Sequence, residues 1–490
     1  MSDLASAPAY SYDLINYPSP IVPAQTPNRI AAAGLIFGWE APDPATASVL
    51  EIGCGDAYNL IACAAVAPHA RHVGIDLSLS AIEIGRGLIN RAGLTNVELH
   101  HADILTYQRE GDAFDYIIAH GVYAWVPQSV REALLALTAA RLKPGGIAYI
   151  SYDVLPASAG KQAILSFMRP RLAAIPDVNQ RIDAAYDLVQ ALARAQGPNS
   201  RLRSTLDPLV ARLAQYERSH FFHDWMSEVY EPSTLSGFAR AAARHGLSVV
   251  GDAELGDLYV DDLDEAARNW LATEGRDAAS HGALLDMLRG NVMFRRTLLT
   301  KATELLPVAW DGIRRLRFSF LGTRADGEDP GTVIFRATGQ VTMKTSKPAE
   351  IAVLDTLHAS GSEELTLPEV VEQSGLSEDE VTAVLRQAAI VGLVEIHATE
   401  PRYTLTPGER PRAGSLVRAM LAERDWAINL RHLRVSAGNL ATRLMVVFSD
   451  GTRDHTEIAR VMSETLGAEV TAEVVTDGIE ELAQRYLFEA

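Results

Sequence analysis

From residue 48 to residue 153, short β-branched apolar runs alternate with stretches whose apolar residues recur every three or four positions. That alternation is the mark of buried strands joined by amphipathic helices. The runs predict strands at residues 49–52, 72–76, 97–101, 115–119 and 147–151, and the spaced stretches predict helices at 60–66, 81–92 and 130–142. Lys143-Pro144-Gly145-Gly146 reads as a turn that ends the last helix and launches the last strand. Five such strands with intervening helices make a doubly wound, Rossmann-like α/β domain.

From 157 to 216 the pattern turns helical and polar, as an insertion would. The sheet resumes after it, with a helix over 234–246, a strand at 247–250 and another within 292–300. Beyond about Leu305 the composition changes, and 324–331 (RADGEDPG) reads as a hairpin tip or a linker. Helix patterns at 348–360, 367–374 and 377–391 precede the apolar run 393–397, the order of a helix-turn-helix with a wing. The theme weakly recurs at 440–448, 456–466 and 475–486 before Leu487-Phe488. The expected units are an α/β core at 1–156, a helical lid at 157–225, a segment completing the sheet at 226–304, a winged-helix-like unit at 305–400 and a mainly helical unit at 401–490. At about 150 residues per domain, 490 residues suit this multi-domain division.

Charge narrows the partners. Forty-four basic against 62 acidic residues give a net charge of −18, which repels a phosphate backbone, so no nucleic-acid partner is expected. The winged-helix-like stretch 348–398 carries ten acids against the single base Arg386, a net charge of −9. Its second-to-third helix junction opens with Ser377-Glu378-Asp379-Glu380, a good helix cap and a poor guest for a major groove. It suits contact with protein, either a polypeptide substrate or a second copy in a homodimer. Arg314, Arg315 and Arg317, and the arginines between Arg410 and Arg434, read as solvated faces or interdomain contacts. Two cysteines, no apolar run near the roughly 18 residues of a membrane span, and no signal-like segment in residues 1–27 point to a cytoplasmic protein with no membrane anchor.

The chemistry begins at Val49-Leu50-Glu51-Ile52-Gly53-Cys54-Gly55, an apolar strand delivering E-x-G-x-G into a tight turn. Glycines there let a ligand approach the backbone at the carboxyl edge of the first strand. Tyr58 stands where the third glycine of a dinucleotide fingerprint would be, which disfavours a pyrophosphate. Asp76 ends the second strand 21 residues after Gly55, the spacing of a ribose-binding acid, and Asp103 follows the third strand, placed to bond an adenine amine. The fourth strand ends in His120-Gly121. Acids around a glycine turn without phosphate chemistry suit a cationic nucleoside.

This constellation resembles the class I S-adenosylmethionine-dependent methyltransferases. Tyr17-Pro18-Ser19-Pro20 with Gln25-Thr26-Pro27, Gly53-Cys54-Gly55-Asp56 with Asn59, His120-Gly121-Val122-Tyr123 with Trp125-Val126-Pro127, and Ser151-Tyr152 are similar to the bacterial members that carry a methyltransferase regulatory domain, among them the rickettsial protein-lysine methyltransferases. His223-Asp224, His245-Gly246-Leu247 and the stretch 294–299 resemble the regulatory domain itself. The chain departs at Ser151-Tyr152-Asp153-Val154-Leu155-Pro156-Ala157, where such proteins often have Ser-Tyr-Asn running into Pro-Gly-Trp. The resemblance implies S-adenosylmethionine as methyl donor, S-adenosylhomocysteine as product, and a protein or peptide lysine as acceptor. It puts the donor against Glu51, Gly53, Cys54, Gly55, Asp76, Leu77, Asp103, Ile104 and His120.

Methyl transfer from a sulfonium is a one-step displacement that needs alignment and exclusion of water and requires no metal. A lysine acceptor must be neutral, so an apolar aromatic wall helps by desolvating the amine and by holding the cationic product. Tyr123, Trp125 and Tyr152 are candidates for that wall, or equally for packing aromatics, and His120 for orienting substrate. His220, His223, Asp224 and Glu228 share a helix face but find no further ligand, so they read as braces of a lid rather than a metal site. Two rivals stand beside the protein methyltransferase: a small-molecule N- or O-methyltransferase, and a non-catalytic scaffold that binds the donor.

Overall fold

The computed structural model describes residues 15, 17–107, 111–302, 308, 310–337, 341–361 and 363–490. Helix α1 (Pro27–Ile36) opens with proline in its first turn, and the Thr26 side chain caps it by accepting from the Arg29 amide. There follow β1 (Ser48–Ile52), α2 (Tyr58–Val66), β2 (Arg71–Asp76), α3 (Leu79–Ala92), β3 (Val97–His101), β4 (Phe114–Ala119), α4 (Gln128–Arg141) and β5 (Leu142–Asp153). These five strands run parallel in the order β3-β2-β1-β4-β5. Val49, Leu50 and Ile52 of β1 are all buried, because helices cover both faces of a parallel sheet and leave no side for polar residues.

The turn expected at residues 143–146 is instead absorbed into β5. Phe114 pairs with Leu142, pairing slips, and Tyr116 resumes with Ile147. Gly145 takes φ +81° in this bulge, so the helix does end there but the strand has already begun.

The insertion forms α5 (Ala159–Leu172), α6 (Val178–Ala195), α7 (Arg203–Arg212) and α8 (Arg218–Met226). Ile164, Met168, Ile182, Val189, Leu206 and Phe221 give it a core of its own. Then α9 (Leu235–Arg244), β6 (Ser248–Asp252), α10 (Glu265–Glu274), α11 (Ala278–Arg289) and β7 (Phe294–Thr300) complete the sheet. β7 slots antiparallel between β5 and β6, giving the seven-stranded order β3-β2-β1-β4-β5-β7-β6.

The boundary expected near Leu305 lies outside the described residues. Past it, β8 (Arg317–Ser319) precedes a three-stranded antiparallel sheet of β9 (Gly322–Asp326), β10 (Val333–Ala337) and β11 (Thr342–Thr345). Residues 327–332 are therefore a hairpin tip, not a linker. The three expected helices form as α12 (Pro348–Ala359), α13 (Leu367–Ser374) and α14 (Glu378–Ile390), with β12 (Leu365–Thr366) before α13 and β13 (Glu395–His397) after α14. Thr366 with Glu369 and Ser377 with Glu380 close capping boxes on the last two helices. The wing differs from expectation: β13 pairs with the upstream β8, which also pairs with β12.

The last unit is α15 (Ser415–Glu423), a hairpin of β14 (Trp426–Ile428) and β15 (Arg434–Ser436), then α16 (Leu440–Phe448), α17 (His455–Leu466) and α18 (Ala472–Ala483). One face of the large sheet and both C-terminal units share a continuous apolar core that runs from Ile30 and Val49 through Phe318 and Leu385 to Met420 and Phe488. The opposite face has a separate core under α4 and α9. No helix among the described residues is long and apolar enough to cross a membrane.

Candidate active site

The carboxyl edge of the parallel strands gathers the predicted donor residues. At the end of β1 the chain turns through Gly53 (φ +71°) and Gly55 (φ +55°). A side chain at either would collide: a Cβ on Gly53 would lie 2.5 Å from Val122 Cγ2, and one on Gly55 would lie 2.9 Å from Ser19 Oγ. The amides of Gly53 and Cys54 donate to Ile75 O at 2.8 and 3.1 Å, which pins the turn to β2. Asp76, last in β2, accepts from the Gly55 amide at 2.8 Å through Oδ2 and from the Ser78 amide at 2.8 Å through Oδ1. Leu77 beside it is exposed, and its carbonyl pairs with His101 Nε2 at 3.0 Å. Asp103 is half-buried and accepts from the Leu105 amide at 2.9 Å, while Ile104 packs against the core under α4.

Three carboxyl groups surround the turn. Glu51 is buried at the end of β1, Asp56 is buried just past Gly55, and Asp76 faces them from β2. Burial, then the like charges of Asp56 and Asp76, push the Glu51 carboxyl up to about 8. Gln25 Nε2 donates to Glu51 Oε1 at 3.3 Å. Cys54 is buried between the strands, and burial pushes its thiol up, so it packs and does not react.

A strap from the N-terminal segment covers the turn. The Ser19 amide lies 3.4 Å from Asp56 Oδ2, the Val22 amide donates to Asn59 Oδ1 at 3.0 Å, and Asn59 Nδ2 donates to Pro20 O at 2.7 Å. His432 Nε2 from the last unit reaches the same Asn59 Oδ1 at 2.8 Å.

At the end of β4, His120 Nδ1 meets the Tyr149 hydroxyl at 2.9 Å and Ser151 Oγ at 3.2 Å. Burial, then the Arg296 charge, hold the imidazole down at about 3, so it stays neutral. The expected aromatic wall divides. Tyr152 is fully buried within β5, stacks on Phe238 at 4.3 Å and bonds Thr297 Oγ1 at 3.0 Å. Tyr123 packs edge-on against the same Phe238 at 5.0 Å under Arg131. Both face the core of the sheet, whereas Trp125 is half-buried at its margin and pairs with Tyr230 at 4.8 Å. The sequence reading missed Trp225 and Tyr230, which join Trp125 around Lys161 at ring distances of 4.5 to 5.4 Å.

The helix face once weighed for a metal is taken up otherwise. His223 Nε2 meets Ile15 O at 2.8 Å, Asp224 accepts from the Tyr216 hydroxyl at 2.7 Å, His220 pairs with Glu217 at 3.2 Å, and the Tyr17 ring lies edge-on to both histidines. At the opposite end of the strands, a cavity of about 1020 Å³ lies between the sheet and the C-terminal units, lined among others by Arg29, His72, Glu364 and Arg431. Of the arginines read as solvated faces or interdomain contacts, Arg431 is buried here as an interdomain contact, bonded to Glu395 at 2.7 Å and to Ser319 at 2.7 Å.

Residues 49–146 match the family described as "Methyltransferase domain", and residues 217–301 match "Predicted methyltransferase regulatory domain". An uncharacterized protein of Rickettsia prowazekii (strain Madrid E) is 30% identical over 241 residues, which is 48% of this chain and 94% of that protein. The chain belongs to the class I S-adenosylmethionine-dependent methyltransferases that carry a regulatory domain. A second uncharacterized protein of the same organism is 29% identical over 257 residues, 51% of the methyltransferase, which spans only 46% of that relative's length. In fold, it is similar to PKMT2 from Rickettsia typhi in complex with AdoHcy, with a TM-score of 0.80 at 22% identity over 96% of this chain and 99% of that one.

Within the regulatory-domain match of this methyltransferase, Arg295 on β7 is a buried hub. Its guanidinium reaches Asp257 at 2.6 Å, Asp286 at 2.8 Å, Asp252 at 3.5 Å and the Gly282 carbonyl at 3.0 Å. It ties α11, β6 and the segment between them to the antiparallel strand beside β5. Burial, then Asp257, still push Asp252 up to about 6.

Proposed function

We propose that this methyltransferase transfers the methyl group of S-adenosylmethionine to the amine of a lysine in a protein or peptide. The observation that carries the donor is the ring of Glu51, Asp56 and Asp76 around a turn whose Gly53 and Gly55 carry no side chain. Burial, and then the like charges of Asp56 and Asp76, hold Glu51 at about 8 and make a site short of positive charge, which a sulfonium with an α-ammonium supplies and a pyrophosphate would worsen. When bound, S-adenosylmethionine supplies an electrophilic methyl on its sulfonium.

The chain's own residues do the remainder. Gly53 and Gly55 leave backbone for the methionine part, with Glu51 and Cys54 in the wall behind. Asp76, fixed by two amides, presents its carboxylate to the ribose hydroxyls beside Leu77. Asp103 with Ile104 frames the adenine, and neutral His120 bounds the site at β4 without competing for a proton. Near the end of β5, burial pushes the Asp153 carboxyl up, so it can take the proton that an incoming ammonium must lose before attack. The lysine acceptor follows the motif likeness to the rickettsial enzymes.

Calorimetry with S-adenosylmethionine on the wild type and on D76A tests the donor site: heat with the wild type and at least a tenfold weaker D76A are expected, and no heat would sink the assignment. Labelled donor with a fractionated lysate tests the acceptor. Label entering protein supports it, and label confined to extractable compounds makes this a small-molecule enzyme. Donor binding without any transfer makes it a scaffold.

A further inference from the structure

Lys161 stands apart from the other cations of the lid. It lies in the first turn of α5, yet its side chain leaves the insertion's own core and ends between three rings. Nζ is 4.5 Å from the centre of Trp125, 4.8 Å from Tyr230 and 5.4 Å from Trp225, and 3.8 Å from Asp153 Oδ1. The lysine and aspartate side chains are only 12% and 11% exposed. Three aromatic faces and a carboxylate are the groups that hold an ammonium, alkylated or not, since ring faces attract a cation without needing its N–H bonds.

The cage is built independently of its occupant. Trp125 closes a turn at residues 123–125 just beyond β4, and Asp153 is the last residue of β5. The Glu231 amide donates to Ala124 O at 2.9 Å, Arg131 Nη2 donates to Glu231 O at 2.7 Å, and the Ser233 amide donates to Asp153 O at 3.1 Å. These bonds bind the segment carrying Tyr230 to the ends of both strands. Trp225, on α8, is the wall that comes from the lid. The cage also adjoins the glycine turn: Val122, three residues before Trp125, is the side chain a Cβ on Gly53 would strike, and the Gly121 amide donates at 2.8 Å to Ser151, two residues before Asp153.

We propose that Trp125, Trp225, Tyr230 and Asp153 form the subsite for the acceptor amine, and that Lys161 fills it in the resting chain as an internal stand-in for a substrate lysine. This rests on the reading of the protein as a lysine methyltransferase and adds to it a self-blocking contact. A substrate lysine has to displace Lys161, which requires the first turn of α5 to swing from the strand ends. Arginine at 161 would keep a cation in the cage, and alanine would empty it.

Tetramethylammonium, followed by tryptophan fluorescence, probes the cage without any substrate or donor. K161A is expected to show saturable quenching with an affinity at least tenfold above wild type, K161R to behave as wild type, and K161A/W125L to lose the response, with circular dichroism showing that each variant folds. With poly-L-lysine and labelled donor, K161A is expected to lower KM several-fold. Equal tetramethylammonium affinities in wild type and K161A would overturn the proposal and leave Lys161 a brace between lid and sheet. A wild type that fails to bind S-adenosylmethionine would sink the earlier reading instead, because the tetramethylammonium result does not depend on the donor.

Discussion

Replacing Glu51 by glutamine should make the protein more stable and a poorer binder at the same time. The Glu51 carboxyl, ordinarily at 4.5, sits at about 8 because it is wholly buried beside Asp56 and Asp76. An acid raised on folding contributes stability that is complete below its unfolded value and is lost as pH climbs toward its folded value. Near pH 7 the folded chain holds a proton that the unfolded chain has released, over a gap of about 2.5 pH units. At about 1.4 kcal/mol per unit, that costs about 3.5 kcal/mol. E51Q has no such proton to hold and keeps an oxygen to accept from Gln25. Denaturant unfolding from about pH 5 to 8 should therefore show wild type and E51Q together at the acid end and diverging by about 1.4 kcal/mol per unit toward neutrality. A cationic donor favours the ionised carboxylate, so binding to wild type near pH 7 should release close to one proton, measured by calorimetry in buffers of different ionisation heat. E51Q should bind more weakly and release none. Parallel stability curves, or donor binding without proton release, would refute the reasoning.

G53A is expected to abolish donor binding by calorimetry, since its Cβ would meet Val122 at 2.5 Å and its φ of +71° strains an L-residue by about 1–3 kcal/mol. R295M strands the buried carboxylates of Asp252 and Asp286 and the half-buried one of Asp257 and should cost about 3–5 kcal/mol in denaturant unfolding, with the loss shrinking at acid pH as those carboxylates take up protons. His120, neutral down to about 3, should leave no mark on the rate between about pH 5 and 8, so H120Q should keep the shape of the wild-type profile; an acid limb near pH 6 that vanishes in H120Q would contradict this.

The sheet was legible because parallel strands buried on both faces read as unbroken apolar runs, and the residues proposed to hold the donor could be located because they sit at strand ends that those runs mark. Where runs were short or polar the pattern failed. The strand Thr342–Thr345 and the hairpin Trp426–Ile428 with Arg434–Ser436 have too few residues to show a period, and Arg317–Ser319 pairs with strands far along the chain. Tyr152 was misplaced by two residues of strand: an end at Ser151 would have put it past the sheet, but pairing runs on to Asp153, so alternation turns Ser151 toward His120 and Tyr152 into the opposite core. Trp225 and Tyr230 joined Trp125 from roughly a hundred residues away, a proximity that only the return of the chain from the lid to the strand ends creates.

The side-chain amide of Asn59 is a rivet through three layers: strap, helix α2 and C-terminal third meet on one oxygen and one nitrogen. Because apolar contacts continue without a break from Val49 to Phe488, that C-terminal third is load shared with the catalytic half, not cargo hung from it. Prising it off would pull at the flap above the glycines and flood that face of the sheet with water.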